Sequence, residues 1–287
     1  MVTTKTNKSV AVGVLHPGQM GVTIAAALVK AGHSVYWVSA GRSADTLRRA
    51  KDADLQELET LRSMCSNCQY IFSICPPDQS TAVAQQVVDN DFRGSYIDCN
   101  AVSPITAQRV ASILSQQGVT CVDGGIIGPP AVQAGNTRLY LSGKSAAEVA
   151  SLFDNTVVDA RVIGDETGAA SALKMAYAGW TKGSMALLMT QYALAKQQGV
   201  EAALIEEWKL SLTGMEDKLD NACTSSAPKA WRFTGEMAEI AETLEQSGLP
   251  RGWFDAATET YQRLDEFKNK SDVDREAVIN ALVKREV

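Results

Sequence analysis

The segment HPGQMG, residues 16–21, sets His16, Gly18 and Gly21 at the three glycine positions of G-x-G-x-x-G, between the hydrophobic run SVAVGVL and the helix-like VTIAAALVKAG. Residues of those types at that spacing suit a diphosphate. Gly18 stands where backbone must approach the phosphates, and Gly21 where a helix packs closely on its strand. The helix start adds free N–H groups and the positive end of a dipole. Strand, glycine turn and helix together are the context that gives so short a pattern meaning. His16 forgoes the first glycine, but Pro17 restricts the residue before it to extended geometry and offers another way to make the bend. The turn His16, Pro17, Gly18, Gln19, Met20 and Gly21 is therefore the expected nucleotide contact. After the next strand, SVYWVS, no Asp or Glu awaits a ribose 2′-hydroxyl. Ser39, Arg42 and Ser43 stand there instead, a cation with hydroxyls that suits a 2′-phosphate and favours NADP(H) over NAD(H). Cys65 and Cys68 form a C-x-x-C without a second pair or a nearby histidine, so they read as structural and no metal is expected.

These groups need a scaffold, and the chain has the length for one. Its 287 residues, 45% hydrophobic and 21% charged, suffice for a large core and two domains. A net charge of −6 without a basic stripe argues against nucleic acid or an anionic membrane as partner and for a small-molecule ligand. MVTTKTNKSV lacks the apolar core of a signal peptide, and six dispersed cysteines read as reduced thiols, so a cytoplasmic protein is expected. Up to about residue 163, β-branched runs alternate with helical stretches, the βαβ rhythm of a mostly parallel sheet. From 164 to 287 the texture is helical. Residues 167–198 read as one helix of about 45 Å at 1.5 Å per residue, interrupted by Lys174, Lys182 and Lys196 and so no membrane span. Such a long apolar helix must be covered by other helices or another subunit. The expected fold class is α/β: a Rossmann-type dinucleotide domain, 1–163, then an all-α domain, 164–287, built on that helix.

The whole chain resembles the 6-phosphogluconate and 3-hydroxyisobutyrate dehydrogenase superfamily, the β-hydroxyacid dehydrogenases, to which imine reductases are related. HPGQMG, KAGHSV and FSICPPD echo the family's glycine turn, second-strand start and fourth strand, and DCNAVSP echoes its D-x-S-T-x-S-P. The resemblance adds Pro76 and Asn100 to the cofactor side, Asn100 replacing a serine near the nicotinamide. It also implies reversible hydride transfer between NAD(P)(H) and a hydroxy or oxo compound, in a homodimer whose helical domains intertwine.

Departures from the family pattern mark the substrate side. Where the family has D-x-P-V-S-G-G, DGGIIGPP puts Ile127 at the serine, keeps Gly128 and puts Pro129 at the last glycine; proline has no N–H to offer a carboxylate. Gly235 and Glu236 stand at the lysine and aspartate of the family's K-D-L. GDETGAASALKMAYAG carries Lys174 at the catalytic lysine but Ala178 at the asparagine four residues on. Tyr177, three residues from Lys174, shares its helical face, so the two together are the expected acid/base pair. In PKAWRFTGEM, Arg232 and Glu236 are spaced for an ordinary i,i+4 ion pair, or Arg232 serves as a substitute anion clamp beside Trp231. Trp180, Trp231, Phe233 and Trp253 suggest room for a bulkier substrate or else simply pack the core and interface. An imine reductase, and a catalytically silent NADP(H)-binding regulator, are the alternatives.

Overall fold

The computed structural model describes residues 9–283. The leader reading above falls on residues 1–8, outside them. The chain divides into two compact units, Met1–Lys174 and Met175–Val287.

In the first unit, short runs rich in Val, Ile, Phe and Tyr make most strands of an eight-stranded sheet, whose central strands are buried almost throughout and whose edge strands are partly exposed. Strands and helices follow as β1 Ala11–Leu15, α1 Gly21–Lys30, β2 Ser34–Val38, α2 Ala44–Asp52, β3 Gln56–Leu58, α3 Leu61–Asn67, β4 Tyr70–Ser73, α4 Ser80–Asp89, β5 Ser95–Asp98, α5 Pro104–Ser115, β6 Thr120–Ile127, β7 Thr137–Ser142, α6 Ala146–Ser151, β8 Val158–Gly164 and α7 Ala169–Ala178. The spatial order is β3-β2-β1-β4-β5-β6-β7-β8. Strands β3 to β6 pair parallel, β7 turns back antiparallel to β6, and β8 runs parallel to β7. The first six are in the doubly wound order, whose switch point lies between β1 and β4; ligands bind there, beyond the strands' carboxyl ends.

Each sheet face has its own core. Val12, Val14, Ile24, Leu28 and Trp37 pack on one side, and Met64, Val83, Val87, Val110 and Leu114 on the other. Gly13 lets the second layer come close, since a Cβ there would meet Met64 Sδ at 2.6 Å. Buried His33 staples three segments: its Nδ1 accepts from Val10 N–H and its Nε2 donates to the Leu152 carbonyl, at 3.4 and 3.1 Å.

The second unit is helical. After α7 come α8 Ser184–Gln197, α9 Glu201–Ser211, α10 Met215–Asn221, α11 Ala230–Gln246, α12 Gly252–Gln262 and α13 Arg275–Val283. The helix expected over 167–198 forms from Ala169 to Gln197, with one correction: Gly179–Gly183 is a π-helical turn between α7 and α8. A physical reason lies in the glycines that bound it. A Cβ at Gly183 would meet Phe254 Cε1 at 2.9 Å, and one at Gly179 would meet Phe254 Cζ at 3.2 Å, so the phenyl ring lies against bare backbone. The Tyr261 hydroxyl donates to the Lys182 carbonyl at 2.8 Å within the same turn. Among the described residues no helix is long and apolar enough to cross a membrane.

Candidate active site

The glycine turn sits at the carboxyl end of β1, and its neighbours fall at the ends of β2, β4 and β5. His16 has φ +70°, in the left-handed region, not extended as the following proline suggests. The bend needs that conformation at its first residue, and an imidazole-bearing residue supplies it at a strain of roughly 1–2 kcal/mol. The His16 carbonyl accepts from Gly18 N–H at 2.7 Å and lies 2.7 Å from where a Cβ on Gly21 would stand, so Gly21 admits no side chain. Gly18 has open space above it, with only that carbonyl, at 3.9 Å, near a Cβ position. Helix α1 starts at N-cap Met20, in helical backbone and without a side-chain cap; Val22 and Thr23 N–H already bond the Gly18 and Met20 carbonyls, both at 3.0 Å, so what the helix start offers an anion is the positive end of its dipole. Nδ1 of His16 is buried and has no hydrogen-bond partner among the described residues. Burial, assisted by the charge of Arg42, takes this imidazole down to about 4, so it is neutral near pH 7. Bare backbone, an uncapped helix start and an orphaned ring nitrogen together fit a dinucleotide.

Beyond β2, Gly41 at φ +72° closes a turn in which Arg42 N–H reaches the Ser39 carbonyl at 3.0 Å, and the Arg42 side chain is exposed. The two hydroxyls are already engaged. Ser43 caps α2, accepting from Thr46 N–H at 3.3 Å, and Ser39 donates to Glu57 Oε1 at 2.5 Å. Glu57 lies on β3, a three-residue edge strand that periodicity does not reveal. Pro76 is exposed just past β4. Asn100, 2% exposed, accepts from Cys75 N–H at 2.6 Å and donates to Ser73 Oγ at 3.2 Å, so its amide joins the ends of β4 and β5. Gln19 is exposed and Pro17 buried.

Strand β6 carries the substrate-side residues. Ile127 is buried in the sheet opposite Arg138, whereas Gly128 and Pro129 emerge at the surface. Gly128 has φ +121°, and a Cβ would fall 2.1 Å from the Asn136 carbonyl oxygen, so this position demands glycine. The Pro129 carbonyl accepts from Thr137 Oγ1 at 2.7 Å, and Ala131 N–H donates to Thr23 Oγ1 on α1 at 2.9 Å, tying this loop to the nucleotide turn's helix. Lys174, on α7, donates through Nζ to the Ile126 carbonyl at 2.8 Å. Burial lowers the Lys174 ammonium to about 8. Gly125 makes room for it, since a Cβ there would meet Ala170 O at 2.8 Å and Lys174 Cβ at 3.2 Å. Tyr177, farther along α7, is 46% exposed.

In the helical unit, Glu236 pairs with Lys182, both side chains largely buried, and Lys182 Nζ lies 4.7 Å from the Phe233 ring centroid. The i,i+4 spacing of Arg232 and Glu236 gave no hint of this cation, which sits in the π turn. Arg232 and Lys268 lie 4.9 and 4.5 Å from the Trp231 ring centroid. Nε1 of Trp231 is buried without a partner among the described residues. Trp180 and Trp253 are exposed, 77% and 67%. The described residues hold no group of three or more His, Cys, Asp or Glu suited to a metal. Burial pushes the Cys65 and Cys68 thiols up to about 11 and about 12, so neither is a thiolate at neutral pH.

Residues 11–155 match the family described as the NAD binding domain of 6-phosphogluconate dehydrogenase, and residues 195–264 match a domain of unknown function, DUF1932. An uncharacterized 28.5 kDa protein of Methanothermus fervidus is 28% identical over 166 residues, which span 58% of this chain and only 63% of that relative. Among solved structures, a conserved hypothetical protein of Sinorhizobium meliloti 1021 is 22% identical with a TM-score of 0.70, covering 96% of this chain and 97% of that one. The 3-hydroxyisobutyrate dehydrogenase of Mycobacterium tuberculosis, solved with L-serine, is 15% identical with a TM-score of 0.70 over 96% and 100% of the two chains. An imine reductase of Streptomyces aurantiacus is 18% identical with a TM-score of 0.57 over 96% and 100%. At these identities the structures share the fold.

Proposed function

Because the chain belongs to the β-hydroxyacid dehydrogenase superfamily, we propose that it is an NADP(H)-dependent oxidoreductase that interconverts a hydroxy and an oxo compound. The observation that carries the chemistry is the Lys174 ammonium, held at the Ile126 carbonyl and brought by burial to about 8. When bound, the nicotinamide supplies or removes the hydride. Lys174, with Tyr177 one helical turn away, gives a proton to the substrate oxygen in reduction and takes it back in oxidation. An ordinary lysine would be a poor base near neutral pH, and this one is tuned to exchange protons there.

Gly18, Gly21 and the start of α1 hold the diphosphate, with His16 Nδ1 offering a further polar contact. Arg42 supports the choice of NADP(H) by offering a guanidinium to a 2′-phosphate. Glu57, hydrogen-bonded to Ser39, opposes that choice by setting a carboxylate beside the same turn. Arg42 prevails in this reading because its fork is exposed while Glu57 is engaged. Arg42→Ala is expected to weaken NADPH at least ten-fold more than NADH by fluorescence titration; equal weakening of both overturns the NADP(H) assignment.

Pro129, without an N–H, and Gly235, without a cation, support a substrate anchored less through its carboxylate than a hydroxyisobutyrate. The decisive assay saturates the protein with NADPH and screens oxo acids, ketones and cyclic imines. Turnover of imines alone would make it an imine reductase, and tight NADPH binding without any turnover a silent regulator. Its six free cysteines support a reducing compartment, the cytoplasm.

A further inference from the structure

Lys174 reaches its carbonyl only if α7 starts in the right place, and nothing in α7's own N-cap fixes that start. Gly168, with φ +103°, precedes the helix and has no side chain to cap it. The cap comes from the sheet. Asp123, buried in β6, accepts through Oδ2 from Gly168 N–H and Ser171 N–H, both at 3.0 Å, and through Oδ1 from Ser171 Oγ at 2.6 Å. Ser142, its cross-strand partner on β7, donates Oγ–H to Oδ2 at 3.0 Å and accepts from Ala170 N–H at 3.1 Å. The amides of Gly168, just before α7, and of Ala170 and Ser171, in its first turn, thus end on one carboxylate–hydroxyl pair. A buried carboxylate needs such a set of donors, and the helix start is where its charge is favoured.

The geometry extends from cap to amine. Residues 123 and 125 share one face of β6 because strand side chains alternate. Ala170 and Ser171, which meet that pair, lie four and three residues before Lys174 and so on its side of the helix. Gly125 then admits the Lys174 stem, and the next carbonyl, that of Ile126, takes its Nζ.

We propose that Asp123 is a positioning residue of the site: it docks the first turn of α7 on β6 and thereby holds the Lys174 amine at the Ile126 carbonyl, away from water. The proposal rests on Lys174 being the proton-handling group, but its test does not need turnover. The two roles open to a buried carboxylate here predict opposite signs. As a through-space counter-charge, Asp123 would favour the ammonium, so its neutralisation would make Lys174 easier to deprotonate. As a positioning device, its loss lets the amine reach water, so Lys174 becomes harder to deprotonate.

The experiment is competitive labelling of the intact protein with an amine-reactive acylating reagent across pH 6–11, with the Lys174 peptide followed by mass spectrometry. Asp123→Asn is expected to move the labelling midpoint of Lys174 from about 8 toward the ordinary 10.5. NADPH affinity should stay within two-fold, because the glycine turn is not touched. A downward shift, or no shift in a variant that keeps its circular dichroism spectrum, overturns the proposal. If Asp123→Asn does not fold, Ser171→Ala and Ser142→Ala decide: each removes one donor and leaves the charge, and each should shift the midpoint the same way by a smaller amount. Unchanged midpoints in both overturn it. A shifted midpoint in a protein that turns over nothing would sustain the positioning role while removing the catalytic reading of Lys174.

Discussion

Lys174 concentrates the residue-scale consequences, because its folded value of about 8 lies below the ordinary 10.5. Below pH 8 the amine is charged in the folded and unfolded chains alike, and the cost of burying that charge stands in full. Between those two values the unfolded chain holds more protons, so stability rises with pH. Lys174→Met removes the buried charge and is expected to stabilise the protein by roughly 1–3 kcal/mol at pH 7, with the gain shrinking as pH passes from 8 to 10.5. Urea unfolding of both proteins at the two ends of that range measures this, and a gain independent of pH would contradict it. The same substitution should lower turnover by roughly 10²–10⁴. If Lys174 handles the proton as proposed, the parent's reduction rate falls above about pH 8, where the ammonium is lost, and its oxidation rate rises. Gly128 makes a simpler case. With φ +121° and a carbonyl oxygen 2.1 Å from the Cβ position, Gly128→Ala is expected to cost at least about 2 kcal/mol, read as a lowered urea midpoint.

At the scale of elements, the π turn makes the sharpest prediction. Adding a methyl at Gly183 gains about 1 kcal/mol of helix propensity, but it meets Phe254 Cε1 at 2.9 Å, and overpacking of that kind costs about 1–3 kcal/mol. Gly183→Ala should therefore be neutral or destabilising alone and clearly less harmful on a Phe254→Ala background, a coupling that a double-mutant cycle of thermal midpoints would expose. Additive effects would mean that the ring does not set the turn. This element also marks how far the sequence could be read. Val-, Ile- and Tyr-rich runs announce β1, β2, β4, β5, β6, β7 and β8, because β-branched and aromatic residues suit strands, and the central β1 and β4 are covered on both faces. The edge strand β3, QEL, is polar and too short to show a period. GWTKG fits an α-helical reading as well as a π one, and only a ring about 70 residues away in sequence separates them. The glycine turn between β1 and α1 was legible because its pattern is local. The cap on α7 was not, because Asp123 meets Ser142, Gly168 and Ser171 across 19 to 48 residues of chain. Lys182 read only as a charge interrupting an apolar run, since its partner Glu236 lies on another helix.

For the whole molecule, the open question is what covers α8. Leu187 and Leu194, seven residues apart and so on one helical face, are 43% and 51% exposed. They border a groove of about 600 Å³ whose other walls include Leu188, Val200, Trp208 and Met215. Leu210 and Leu212 add further exposed apolar surface on and just past α9. Exposed apolar side chains grouped along one helix face are what a partner surface would cover. The homodimer suggested by family resemblance would cover it with the same face of a second copy, as a two-fold interface requires. Each copy carries a net charge of −6, so electrostatics opposes association. That opposition is screened within about 8 Å at physiological ionic strength, whereas apolar burial contributes about 25 cal/mol per Å² irrespective of salt. An obligate interface of about 2,000 Å² or more would therefore hold the dimer and make it slightly tighter, never weaker, as salt rises. Sedimentation velocity at micromolar concentration should show a dimer at both 0.05 and 0.5 M NaCl, and the pair Leu187→Glu with Leu194→Glu should yield a folded monomer. A parent protein that sediments as a monomer would rule out the homodimer, and a dimer that dissociates on adding salt would rule out an apolar interface.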